Sequence, residues 1–196
     1  MKKYIFFTII LLAVVCKIQA QKNKHALKFN SINNIGLLSG EMQNKFTFQT
    51  INGLQYKSWF AGVGAALDNY GYRSIPAFID LRRTLELNEW QPFVYIDGGI
   101  NFPLYTSDLP RKWGSTDAYK LQNTFYGEAG AGVKRKLSKR LQFDFSIGYS
   151  YKHFIYMQYY YPITINLSSY LPSPIITQYD FYYDRIAIKT GLQFQF

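Results

Sequence analysis

Apolar and polar residues alternate with a period of two from about residue 26 to the carboxyl terminus, in runs of ten or more broken by turn signals. Successive side chains of a strand point to opposite sides, so each run predicts a strand with one apolar and one polar face. In 140–155, Leu141, Phe143, Phe145, Ile147, Tyr149 and Tyr151 oppose Gln142, Asp144, Ser146, Gly148, Ser150 and Lys152. In the closing stretch DFYYDRIAIKTGLQFQF, Tyr182, Ile186, Ile188, Leu192, Phe194 and Phe196 oppose Arg185, Lys189, Gln193 and Gln195. The pattern predicts eight strands: Ala26–Leu38, Lys45–Tyr56, Trp59–Leu67, Tyr72–Leu85, Trp90–Phe102, Asn123–Leu137, Arg140–Ile155 and Asp180–Phe196. Helical periodicity is absent, and no window after residue 20 is apolar for long enough to cross a bilayer as a helix.

The connections order these strands. Short turns follow strands two, four and six, and the longest loops, 103–122 and 156–179, follow strands five and seven. A chain that starts inside the cell envelope then has short inner turns and long outer loops, the pattern of a transmembrane barrel. In that arrangement Trp59 and Trp90 lie at the inner rim, and Tyr149, Tyr151 and Tyr182 form a second girdle at the outer rim. Pro76 cannot donate to a ladder, which places it near a rim. A soluble barrel alternates in the same way but points its apolar face inward. Volume separates the two: Phe, Ile, Leu, Tyr and Val fill one face, and the other carries Gly62, Gly64, Gly99, Gly130, Gly132, Gly148 and Gly191 beside charged groups. An eight-stranded interior is only wide enough for side chains to fill it, so the small, polar face belongs inside. The expected fold is therefore an all-β, eight-stranded antiparallel up-and-down transmembrane β-barrel.

Composition agrees: aromatics are 19% of the 196 residues, with 18 Tyr and 16 Phe, types that favour strands and bilayer interfaces. Residues 1–20 have the form of a cleaved secretory signal, with Lys2 and Lys3, an apolar run from Tyr4 to Val15, and Ile18-Gln19-Ala20 before Gln21. The barrel is then 21–196. Bulky Val15 before Cys16 departs from a lipoprotein signal. Removal of Cys16 excludes disulfides, thiol catalysis and cysteine metal sites from the remainder. Loss of Lys2, Lys3 and Lys17 takes the formal charge from +10 to 10 − 3 = +7. Export makes anionic lipid head groups, rather than nucleic acid, the partner of this charge.

The signal end Gln19-Ala20-Gln21, the eight strands and the terminal Leu192-Gln193-Phe194-Gln195-Phe196 resemble the small outer-membrane β-barrel proteins of the Bacteroidetes, of OmpA-membrane-domain or OmpX type within the porin family. Ser31-Ile32-Asn33-Asn34-Ile35-Gly36-Leu37, Thr50-Ile51-Asn52-Gly53-Leu54 and Asp80-Leu81-Arg82-Arg83 share that likeness. The resemblance implies a cell outer membrane location and contact with outer-membrane lipids and lipopolysaccharide. It also makes Leu192, Phe194 and Phe196 an assembly signal for the barrel-assembly machinery. It implies few activities, no cofactor and no metal.

Four features carry candidate chemistry. Asp80, Arg82, Asp97, Glu128, Lys134, Asp144, Arg185 and Lys189 all fall on the inward face, where buried charges must pair; the network reads as a structural plug, the alternative being a narrow solute channel. At the inner turn, Arg135 and Arg140 are placed to reach lipid phosphates. Of the histidines, His25 and His153, only His153 is near the outer rim; it has no carboxylate at motif spacing. A lipid A acylase or deacylase is therefore the minor reading, and no catalytic residue is assigned. The loop 156–179 is nearly uncharged and rich in Tyr, Ile and Leu. It reads either as a cap over the barrel mouth or as an extension of strands seven and eight that offers an edge to an extracellular protein partner. The expected role, for a monomer, is structural or interactive at the cell surface through the loops at 103–122 and 156–179.

Overall fold

The computed structural model describes residues 27–41, 43–85, 87, 89–104, 118–160 and 173–196. Residues 1–26, which include the expected signal segment and His25, and much of the two long loops lie outside the described residues. The described strands are β1 (Lys28–Gly40), β2 (Asn44–Tyr56), β3 (Trp59–Asp68), β4 (Ser74–Thr84), β5 (Trp90–Pro103), β6 (Ala118–Gln122), β7 (Thr124–Lys136), β8 (Leu141–Tyr160) and β9 (Ile175–Gln195). All pair antiparallel, in the order β8-β7-β5-β4-β3-β2-β1-β9, and β9 returns to β8. Eight strands thus close a ring without an edge.

Following directly paired residues round the ring shows its stagger. The path from Gly40 through Arg185, Ser150, Glu128, Asp97, Asp80, Gly62 and Gly53 returns to β1 at Asn30, ten residues away (40 − 30 = 10). Ten residues of about 3.3 Å set against eight strand spacings of about 4.8 Å tilt the strands roughly 40° from the axis. The same path joins Asp80, Asp97, Glu128 and Arg185, charges far apart in sequence.

Local chemistry sets the turns and interruptions. Lys57 and Ser58 alone connect paired Tyr56 and Trp59, and Lys57 adopts φ 53°, the left-handed value a two-residue hairpin requires. Pairing between β3 and β4 passes from Ala65↔Ala77 to Asp68↔Ser74, so the ladder opens beside Pro76, which has no N–H to give. β6 and β7 behave as one strand with a bulge. Gln122 pairs Ile155, but Tyr126 pairs Lys152, so four steps along one strand match three along the other, with Asn123 in the join.

The apolar face looks outward. Val63, Ile79, Val94, Ile96 and Ile147 are all more than half exposed, whereas a soluble barrel would bury them. The polar face fills the lumen, where buried aromatics rest on glycines. A Cβ at Gly148 would stand 2.4 Å from the Tyr95 hydroxyl, and one at Gly130 2.8 Å from its ring. The sequence pattern anticipated a lumen of small and charged groups; Phe60, Phe78, Phe93, Tyr95 and Tyr126 occupy it as well.

The largest departures from the expected strand boundaries are two. The stretch 118–122, expected to be loop, pairs with β8. β8 and β9 run beyond Ile155 and before Asp180, pairing as far as Tyr160↔Ile175. Both extensions lie above the ring, where neither face meets lipid, so the alternation that marks the wall strands is lost.

Candidate functional site

Asp80, Arg82, Asp97, Glu128, Lys134, Asp144, Arg185 and Lys189 are all buried, each on the lumen side of its strand. Asp68 falls in the expected turn after the third strand and Lys152 outside the expected network, although both continue the inward phase of their strands. With them the buried charges among the described residues are five acids (Asp68, Asp80, Asp97, Glu128, Asp144) and five bases (Arg82, Lys134, Lys152, Arg185, Lys189). The lumen is formally neutral, as its low dielectric requires.

The charges occupy three levels. Near the inner end, Arg82 Nε donates to both oxygens of Asp80, at 3.0 and 2.8 Å, and its guanidinium lies 5.4 and 5.3 Å from the Phe93 and Tyr95 ring centres. Asp144 faces a cavity of ≈ 10 Å³ lined also by Arg82, Lys134 and Gln193, about the size of one water. At mid-height Glu128 accepts from the Tyr95 and Tyr126 hydroxyls at 2.6 and 2.9 Å and pairs with Lys189 Nζ at 2.5 Å. Lys189 also donates to Gln49 Oε1 at 2.9 Å, and Gln49 Nε2 donates to Asp97 Oδ2 at 3.2 Å.

The outer level ties a loop to the wall. Asp68 bridges Arg185 and Lys152, the latter at 3.2 Å, and accepts the Tyr70 backbone N–H at 2.8 Å. Lys152 Nζ donates to the carbonyls of Tyr70 and Tyr72 at 2.6 and 2.9 Å. The β3–β4 turn is thereby drawn over the mouth. Gly71, at φ +63°, allows it, because a Cβ there would meet the Tyr183 ring at 2.6 Å. Tyr72 stacks on Phe154 with ring centres 4.5 Å apart and meets Tyr156 and Phe181 edge-on; burial raises its hydroxyl pKa above the ordinary tyrosine value. Of the stretch 156–179, residues 156–160 and 175–179 pair as continuations of β8 and β9, and 161–172 lie outside the described residues. The inner face of the β8–β9 extension packs on Tyr72 through Phe154, Tyr156 and Phe181, and its strands project above the ring.

That projection has an unpaired side. β9 pairs with β1 only up to Gly40↔Arg185, so the β1-side edge of β9 above Asp184 meets no strand among the described residues. Ile175 and Ile176 near its tip are 58% and 55% exposed.

The rim residues take the following places. Trp59 and Trp90 are exposed at the starts of β3 and β5, with Arg83 and Arg135 over their rings at 5.3 and 5.2 Å. Arg135 also reaches Glu89 at 3.3 Å, so this inner arginine contacts protein as well as facing the rim. At the opposite end Tyr149 donates to Asp184, and Tyr182 stacks on His153 at 4.6 Å. His153 Nε2 lies 3.3 Å from Asp180 Oδ1. Sequence spacing gave His153 no carboxylate; strand pairing supplies one from 27 residues away. A hydroxyl nucleophile is not brought to this ring among the described residues, since Ser150 faces the lumen and accepts from Arg185 at 2.8 Å. Leu192 and Phe194 are exposed on the outer wall. Phe196 is 73% exposed, held by its backbone N–H to the Phe29 carbonyl at 2.9 Å.

An outward apolar band between aromatic rims, around a lumen of balanced buried charges, is what a bilayer demands of a strand-built wall. The protein is an eight-stranded outer-membrane β-barrel. Neither the protein families nor the curated proteins compared with the chain give a match. Among solved structures it is similar to Neisserial surface protein A, with a TM-score of 0.53 at 9% identity over 87% of this chain and 97% of that one. The outer membrane protein AlkL, determined in lipid bilayers, gives 0.49 at 11% identity over 90% and 93%. A designed transmembrane β-barrel gives 0.42 at 13% identity over 86% and 95%. At these identities the likeness is one of fold.

Proposed function

We propose that this barrel anchors a binding edge at the cell surface, where the projecting part of β9 accepts an extended segment of an extracellular protein as an added strand. The unpaired β1-side edge of 175–184 supports this reading. Backbone groups on an open edge provide affinity, and Ile175 and Ile176 offer apolar contacts for alternate side chains of the partner. The balanced, closely packed lumen favours a plug over a channel. Kinship with the small Bacteroidetes barrels, contact with lipopolysaccharide, and recognition of Leu192, Phe194 and Phe196 during assembly belong to the same proposal.

Deletion of 156–179 is expected to leave insertion intact, because ring pairing extends to Gly40↔Arg185 and Tyr126↔Lys152 below the cut. Heat-modifiable gel mobility checks the insertion. Panning a random peptide library on intact cells checks the edge: peptides enriched on the native barrel should lose binding to the deletion and to an Ile176→Lys, Gln178→Pro variant. Equal retention by all three contradicts the edge proposal.

The His153–Asp180 pair gives a second reading, lipid A modification, one specific observation in its favour. A histidine oriented by a carboxylate is the base of many hydrolases, but it needs a nucleophile to activate. With none in reach among the described residues, His153→Ala is expected to leave lipid A unchanged by mass spectrometry. A changed acylation pattern would make the barrel an enzyme.

A further inference from the structure

The outward wall is apolar at mid-height on β3, β4, β5, β7 and β8, but not across β9, β1 and β2. There Asn33, Thr50, Asn52 and Thr190 point outward, and Asn33 pairs in register with Thr50. Thr50 is six residues above Tyr56 at the inner rim. At roughly 2.5 Å of axial rise per residue for strands so tilted, it lies about 15 Å up a band of about 25 Å. Polar side chains at the middle of a bilayer are costly wherever they face lipid. Thr50 Oγ1 donates to Asn33 Oδ1 at 3.0 Å, and Asn33 Nδ2 donates to Ser31 Oγ at 3.3 Å. These bonds leave one Asn33 amide hydrogen unused, and Asn52 makes no side-chain hydrogen bond among the described residues.

The same wall has relief. Phe48 forms a ridge between two depressions of ≈ 390 and ≈ 470 Å³, one floored by Thr50 and Ala65 beside the ladder opening at Pro76, the other by Thr190 and Gly191. We propose that the β9–β1–β2 wall is a lateral interface between two copies of this chain within the membrane.

Three observations select a second copy as the occupant. An asparagine amide is both donor and acceptor, so Asn33 and Asn52 can pair with their own equivalents across a two-fold axis. A ridge beside a hollow is its own complement under that axis, so Phe48 of each copy seats beside Thr50 or Thr190 of the other. The patch carries no formal charge, so it selects no oppositely charged partner. An acyl chain fits the hollows but offers the amides no hydrogen bond. Small and polar residues are also what strengthens association inside a bilayer.

Disulfide trapping in the native outer membrane tests this. Single substitutions Asn33→Cys, Phe48→Cys, Thr50→Cys and Asn52→Cys in the full chain are compared with Val94→Cys on the opposite wall. The unsubstituted chain controls for Cys16. A product of twice the barrel mass from at least one of the four, and none from Val94→Cys, is the expected result. In addition, Asn33→Leu with Thr50→Val should lower the dimer fraction at least tenfold while heat-modifiable mobility stays unchanged. Trapping from neither wall, equal trapping from both, a product of any other mass, or an unchanged dimer fraction in the double variant overturns the interface.

Discussion

Asp68→Ala is expected to destabilise the barrel by about 3–5 kcal/mol, the cost of leaving buried cations without their partner. Two cations are affected, since Asp68 bridges both Arg185 and Lys152. Arg185 keeps Ser150 and Lys152 keeps the Tyr70 and Tyr72 carbonyls, but none of these bears a negative charge. The loss should also loosen the inward β3–β4 turn, whose position depends on the Asp68 bond to the Tyr70 N–H. Equilibrium unfolding in lipid vesicles measures the stability change. Lys152→Met added to Asp68→Ala removes one stranded cation and should recover part of the loss. A loss below about 1 kcal/mol for Asp68→Ala would mean that the lumen is wet enough to screen the cluster.

Ile96→Arg is expected to cost about 2–4 kcal/mol in a bilayer, against about 0–1 kcal/mol for Leu137→Arg. Both side chains are more than half exposed on the outer wall. What separates them is depth. Ile96 is near the middle of β5, across from Ala129, while Leu137 follows β7 at the inner turn. In a soluble barrel two equally exposed positions would tolerate arginine alike, so the difference measures the surrounding solvent. The same unfolding assay reads both.

How far the chain reveals itself depends on what each residue meets. The wall strands were legible because lipid on one side and a narrow lumen on the other impose alternation residue by residue, as in Leu141–Tyr151. The same phase carried every proposed lumen charge to the inner face. Where that two-sided constraint ends, so does the signal. Tyr156–Tyr160 and Ile175–Tyr179 are strand above the membrane, yet no lipid selects their outward face. Asp68 and Lys152 were in phase, but Asp68 adjoins Asn69-Tyr70-Gly71, which reads as a turn leading to solvent. Its inward fold follows from Gly71 lying under Tyr183 and from Lys152 binding carbonyls 80 and more residues away. The His153–Asp180 contact likewise depends on β8–β9 register through a long loop, which no local spacing encodes.

Everything above follows from one arrangement: odd-numbered residues of β8 from Leu141 to Tyr151 face lipid, and even-numbered ones face the lumen. A spin label placed at each position in turn, in the barrel reconstituted into vesicles, reads this directly by its collisions with oxygen and with a water-soluble nickel chelate. Oxygen contact is expected at 143, 145, 147 and 149, and little contact with either reagent at 142, 144, 146 and 148. Nickel contact along the even positions would reveal an open aqueous channel, and protection of the odd positions from oxygen would turn the barrel inside out; either result contradicts the account.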